Sequence, residues 1–257
     1  MSAISLKGVD KVYHGRNPVE ALRGIDLEIA DGEFAALLGP SGCGKSTLLN
    51  LLAGFEAHTG GMLTVYGDPV TKPGPERGVV FQEAALFPWL SVWQNVIFGP
   101  QVQGLSPDDY EPRARETLRL VGLDTFRDHL PVQLSGGMRQ RVGIARVLVM
   151  GPKLLLMDEP FGALDAQTRL SMQQLLLDVW QKLKKTVLFV THDIDEAILL
   201  ADTIYVMSPR PGRIHSRYKV DMERPRSLDT LTDARFTALK REVMHQIRHD
   251  IAGQPEH

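Results

Sequence analysis

"FAALLGPSGCGKSTLLNLLAGF", residues 34–55, sets an apolar run, a glycine-rich turn and a leucine-rich helical pattern end to end. Gly39, Gly44, Lys45 and Ser46 match G-x-x-x-x-G-K-[ST], with the strand before and the helix after that the motif requires. Glycines let the backbone curl so that successive N–H groups face phosphate oxygens, and the helix start adds its positive dipole end. The spacing therefore predicts a phosphate cradle over 39–47, completed by Pro40, Ser41, Gly42, Cys43 and Thr47. In such a cradle Lys45 would pair with the β and γ phosphates, and the Ser46 hydroxyl would ligate Mg²⁺.

Working outward, four more short apolar runs alternate with helix-like segments: "GVVF" (78–81), "KLLLM" (153–157), "TVLFV" (186–190) and "TIYVM" (203–207). That alternation predicts an α/β fold with a largely parallel central sheet. Three runs end on polar residues suited to phosphate or metal chemistry: Gln82; Asp158 with Glu159; and Thr191 with His192. Ligands of open parallel sheets sit outside the carboxyl ends of the strands, so these side chains and the cradle are expected to share one crevice. Each alone could be a polar strand end; the set is harder to dismiss. Asp158 suits Mg²⁺, and Glu159 suits orienting or deprotonating an attacking water. Gln82 can bridge metal and water, and His192 can donate to a γ-phosphate. Together they describe a nucleoside triphosphatase.

Of the 257 residues, 29 are basic and 31 acidic, a balance that exerts no chain-wide pull on nucleic acid or anionic lipid. The lone cysteine, Cys43, excludes an intramolecular disulfide and fits a reducing compartment. No basic-then-apolar leader follows Met1 and no apolar run approaches the roughly 20 residues of a membrane span, so a soluble cytoplasmic chain is expected. Strand signals stop between 84 and 150, where "PDDYEPRARETLRLVGL" (107–123) and the run after Ser135 carry helical periodicity. We read 84–150 as a helical lobe inserted between core segments 1–83 and 151–215, with a helical tail over 216–257 that places Phe236, Leu239, Val243 and Ile247 at helical spacing.

A second anion-holding pattern stands in "VQLSGGMRQRVGIARVL" (132–148), where Ser135 precedes Gly136, Gly137 and a basic helical run. With this addition the chain resembles an ATP-binding-cassette ATPase, the nucleotide-binding subunit of an ABC transporter, from "KVYHG" (11–15) to "PRPGRI" (209–214). The resemblance implies a P-loop NTPase (RecA-like) core, with an antiparallel β part near the N-terminus and an inserted α-helical subdomain. It makes Tyr13 the aromatic that stacks on adenine, 39–47 Walker A, Gln82 the Q-loop and "LSGGM" (134–138) the signature. "LLLMDEP" (154–160) becomes Walker B, "GALD" the D-loop ending at Asp165, and His192 the switch histidine. ATP and Mg²⁺ are the implied ligands. A head-to-tail homodimer would explain two cradles: Ser135, Gly136 and Gly137 of one copy would contact the γ-phosphate held by Lys45 of the other. Met138 departs from the usual glutamine of the signature, and Gly162 from the frequent serine of the D-loop.

Within the family, "GPERGVVFQEAALFPWLSVWQNVIFG" and "THDIDEAILLADTIYVMSPRPGRI" look most like importer subunits of the nitrate, sulfonate and taurine group. That likeness implies a peripheral protein on the cytoplasmic face of the inner membrane, with permease subunits docking at Leu86, Phe87, Pro88 and Trp89. A periplasmic solute-binding protein would act indirectly, and no nucleic acid is expected. The alternative is a soluble ABC ATPase acting as a switch in cofactor assembly. Trp93 fits either core or interface. Alkylation of Cys43 is expected to block activity and MgATP to protect it; His14, His58 and His129 read as solvated, and Arg139, Arg141 and Arg146 as paired with nearby acids.

Overall fold

A computed structural model describes residues 2–252, with side chains described as far as Arg248. Two compact units divide the chain, Met1–Gly74 with Lys184–His257, and Pro75–Leu183. The first unit opens with β1 (Ser2–Tyr13), β2 (Val19–Ala30), β3 (Phe34–Leu38), α1 (Lys45–Ala53), β4 (Gly60–Val65) and β5 (Asp68–Pro69). In β2, buried Ile25, Leu27 and Ile29 alternate with exposed Gly24, Asp26 and Glu28, the pattern of an antiparallel strand with one wet face. β1 pairs antiparallel with β2 and β4 in a sheet of order β2-β1-β4-β5. This is the antiparallel part expected near the N-terminus.

The second unit comprises β6 (Arg77–Val80), α2 (Val92–Val102), α3 (Pro107–Leu120), α4 (Gly136–Leu148), β7 (Leu154–Asp158) and α5 (Ala166–Leu183). β6 runs parallel to β7 with Val80 opposite Met157. Each intervening helix starts where its sequence says it should. A Ser91–Gln94 capping box opens α2, Pro107 with Asp108 and Asp109 opens α3, and the Ser135 hydroxyl caps α4.

The chain returns to the first unit through β8 (Thr186–Thr191), α6 (Ile194–Leu200), β9 (Thr203–Met207), β10 (Ile214–Lys219) and α7 (Ala234–Ala252). β3 lies between β8 and β9, parallel to both, and all five of its residues are buried. A strand covered on both faces has no reason to alternate, which is why "FAALL" reads as a continuous apolar run. β10 completes this edge antiparallel to β9. Residues 216–219, expected in a helical tail, therefore belong to a strand; the alternating burial of "IHSRYK" has period two, not the helical period. The tail's helix is α7, which buries Phe236 and Val243 and half-buries Leu239 and Ile247. Two cations fasten the tail to α6. Arg226, 3% exposed, donates to the carbonyls of Ile198, Leu199, Ala201, Val220 and Met222, and Lys240 meets Asp195 at 2.7 Å. Positions 253–257 of the expected tail lie outside the described residues.

Candidate functional site

In the first unit the glycine turn spans the gap between β3 and α1. Gly44 is the residue before α1, in the left-handed region at φ 102° and ψ 11°; no side chain caps the helix and no acid stands in its first turn. A glycine-led helix start without acids in its first turn suits an anion. Lys45, though 5% exposed, keeps its ammonium hydrogen-bonded to the carbonyls of Gly39 (2.8 Å) and Pro40 (3.1 Å). A Cβ on Gly39 would stand 2.9 Å from Cys43 Sγ and 3.0 Å from the Met207 carbonyl, so space demands the glycine. Cys43 is 1% exposed, and burial of this kind slows attack by an alkylating reagent.

The β3–β8 register sets Leu38 beside Thr191, so the glycine turn and His192 leave neighbouring strands at the same end. His192 is exposed on a turn held from both sides. Thr191 Oγ1 donates to buried Glu196 (2.7 Å) and accepts from the Asp193 amide (3.0 Å), while Asp193 Oδ1 accepts from the amides of Asp195 and Glu196 at the start of α6. Sequence reasoning missed this clamp, although "THDIDEA" shows the aspartate in N-cap position. The exposed Tyr13 ring places Oη 3.4 Å from Thr47 Oγ1, with the Lys11 ammonium 4.7 Å from the ring centroid.

In the second unit, the β6–β7 register brings Gln82 and Asp158 to the same end of neighbouring parallel strands. Glu159 follows with φ 42°, a left-handed conformation that costs a residue with a Cβ about 1–3 kcal/mol. Its carbonyl accepts the Gly162 amide (3.0 Å), which turns the chain back. A Cβ on Gly162 would meet Gln82 Nε2 at 3.0 Å; the glycine at this D-loop position leaves room for the Gln82 amide. Asp165 Oδ1 accepts the Thr168 amide (3.0 Å), and hydrogen bonding from the Thr168 side chain first, then from its backbone, holds the carboxyl below the usual carboxylate range. Its contact here is a helix cap for α5.

The signature residues separate into two roles. Ser135 and Gly136 are exposed at the start of α4, where the Ser135 hydroxyl accepts the Met138 amide at 3.2 Å. Gly137 is buried, and a Cβ there would overlap the Thr168 methyl group, so this glycine permits the close approach of α4 and α5. Met138 lines a cleft of about 280 Å³ of mixed character, with Leu123 and Phe126 but also Arg141, Thr168 and Ser171, and nothing there explains methionine in place of glutamine. A larger cleft of about 550 Å³ is lined by Gln82, Leu86, Pro88, Gly136, Gln140 and Leu164. Gln140, buried on α4, donates to the Phe81 carbonyl at 3.0 Å and fixes the strand end that carries Gln82.

Beside this cleft the Phe87 ring lies 4.5 Å from Phe98 and 5.7 Å from Trp89 between centroids, under the Arg146 guanidinium. Trp89 is 71% exposed. Asn95, wholly buried, shapes the loop: its carbonyl accepts the Phe87 amide (2.9 Å) and its amide donates to Leu90 (2.9 Å) and Ser91 (3.0 Å) carbonyls. Trp93 is half-buried with Arg115 5.0 Å from its ring centroid. Arg139, Arg141 and Arg146 donate to the carbonyls of Leu134, Val121 and Ala85 rather than to the nearby acids expected from the sequence. His14 is exposed, but His58 and His129 are half-buried, the latter with its ring 5.2 Å from Phe126. Among the described residues no group of three or more His, Cys, Asp or Glu could hold a metal by itself, and no helix is long and apolar enough to cross a membrane.

Comparison with known proteins matches residues 22–162 to the ABC transporter family. The taurine import ATP-binding protein TauB of Burkholderia pseudomallei (strain 1710b) is 47% identical over 258 residues, covering 97% of this chain and 98% of that one. Among solved structures, the dimeric post-hydrolysis state of the ATP-binding cassette MJ0796, bound to ADP and Pi, has a TM-score of 0.73 at 34% identity, covering 86% of this chain and all 100% of that one. The structure of cbiO1 from Clostridium perfringens, part of the ABC transporter complex cbiONQ, has a TM-score of 0.79 at 29% identity, covering 96% and 98%.

Proposed function

The chain belongs to the ABC transporter family, and on that premise we propose that it is the ATP-hydrolysing subunit of an importer for a small anionic solute. The observation that carries the reading is a pair of glycine-containing helix starts with no acid in the first turn, α1 behind Gly44 and α4 behind Ser135. One chain then supplies half of each of two sites in a head-to-tail homodimer. The dimeric state of MJ0796 supports that arrangement.

In this reading the turn amides and Lys45 hold the triphosphate of ATP, Tyr13 stacks on adenine, and Ser135 with its glycines meets the γ-phosphate from the second copy. Ser46, Gln82 and Asp158 would hold Mg²⁺, whose chemistry is to neutralise charge on the phosphate oxygens. Glu159 orients the attacking water and takes its proton, and His192, on its clamped turn, donates to the γ-phosphate. The strained backbone at Glu159 supports the role, since conformations of that kind persist where geometry is needed for chemistry. Exposed Trp89 and the aromatic cluster around Phe87 support docking of permease subunits at residues 86–89. The likeness to TauB favours taurine or another aliphatic sulfonate over nitrate as the solute, delivered to the permease by a periplasmic binding protein while this chain works at the cytoplasmic face.

Glu159→Gln tests the mechanism. We expect ATP hydrolysis to fall about 10²–10⁴-fold and a stable ATP-bound dimer to appear in light scattering. Hydrolysis at the parent rate would refute Glu159 as the base.

A further inference from the structure

We propose that Gly212 is a positioning residue for the phosphate cradle, its bare Cα setting the orientation of the Cys43–Gly44 peptide. The proposal rests on the reading of residues 39–47 as the nucleotide phosphate site.

Gly212 lies between β9 and β10 in "SPRPGR" (208–213). Its amide donates to the Ala21 carbonyl (2.9 Å) and its carbonyl accepts the Arg23 amide (3.0 Å), so it is stitched to β2 on both sides of Leu22. The same stretch of β2 backs the glycine turn: a Cβ on Gly44 would meet Leu22 Cδ2 at 2.7 Å and the Ala21 carbonyl at 3.0 Å. Gly212 does not need to be glycine for its backbone angles, which are not in the left-handed region. It needs to be glycine for space. A Cβ there would overlap the Cys43 carbonyl oxygen, with Met207 Cε at 2.8 Å and the Ala21 carbonyl at 3.2 Å. The methionine terminus can swing aside. The Cys43 carbonyl can retreat only by turning its peptide, and that rigid plane also carries the Gly44 N–H, one of the amides of the cradle. A methyl group on the outer side of the loop thus re-aims a donor on the inner side, without touching a phosphate.

The test is a fluorescence titration with a mant-labelled ATP, run well below each protein's melting temperature so that global stability does not enter. Gly212→Ala should weaken binding about tenfold or more, the effect of losing one hydrogen bond to a charged group. Arg213→Ala, an exposed change in the same hairpin, should bind within about twofold of the parent by the same measure. Adding Met207→Ala to Gly212→Ala should not rescue binding, because the carbonyl remains in the way. Should Gly212→Ala not fold, hydrogen exchange on the parent decides: ATP should slow exchange of the Gly212 and Arg23 amides together with the cradle. Equal binding by parent and Gly212→Ala, or cradle protection that leaves those two amides unchanged, overturns the role of Gly212. A parent protein that does not bind the probe overturns the nucleotide reading instead.

Discussion

Replacing Asn95 with alanine would strip the loop that presents Phe87 and Trp89 of its internal template. Four hydrogen bonds depend on this one buried amide, and the consequences differ among them. The Ser91 carbonyl keeps the Asn95 backbone amide (2.8 Å), and the Phe87 carbonyl keeps the Leu90 amide (3.2 Å). The Phe87 N–H and the Leu90 carbonyl lose their partner, and both residues are half-buried, so each group costs about 1–1.5 kcal/mol, near the lower end for an unsatisfied group. The total of about 2–3 kcal/mol should lower the melting midpoint by about 4–12 °C for a chain of this size. Asn95→Asp should be worse, since it turns a carboxylate toward the Leu90 and Ser91 carbonyls. Differential scanning calorimetry gives the midpoint, and hydrogen exchange at the Phe87 amide localises the damage. A midpoint within about 1 °C of the parent and unchanged exchange at Phe87 would refute the argument that Asn95 holds the loop.

Gly137→Ala should disturb the α4–α5 approach at a cost of about 1–3 kcal/mol and lower ATPase activity, and Thr168→Ser in the same chain should restore part of both; no recovery would mean that the Thr168 methyl is not the obstacle. Arg226→Ala should lower stability to urea by about 3 kcal/mol or more, because several carbonyls at the end of α6 and in the tail ahead of α7 lose their donor. Burial pushes the Tyr205 phenol from 10.0 up to about 12. The fold thus favours the neutral form; that stability is complete below pH 10.0 and is lost as pH rises toward about 12, and Tyr205→Phe should flatten the alkaline loss of melting temperature. Iodoacetamide should label Cys43 more slowly in the native protein than in urea, and ATP should slow it further; equal native and unfolded rates would contradict the buried thiol.

What could be read from the sequence was local. The glycine turn, the buried strands and the helix caps declare themselves within a few residues, because apolar periodicity and turn chemistry act at short range. β1 and β2 escaped as individual strands since half their residues face water and no apolar run marks them. Gln140 and Arg226 escaped for another reason: each serves a carbonyl far away in sequence, Phe81 in one case and Ile198 in the other, and no spacing rule links them. The site shows the same division. Lys45 and Asp158 could be assigned from motif and strand end alone, whereas the glycine at 162 made sense only once Gln82 was seen against it.

The left-handed turn at Glu159 sets evolution of this chain against itself. Glycine would sit there without strain, so a screen for thermal resistance alone should favour Glu159→Gly, and in the proposed role its winners would no longer hydrolyse ATP. Persistence of glutamate at such a position in a lineage is then a record of selection on turnover, and its replacement by glycine would mark a cassette that has stopped working as a motor.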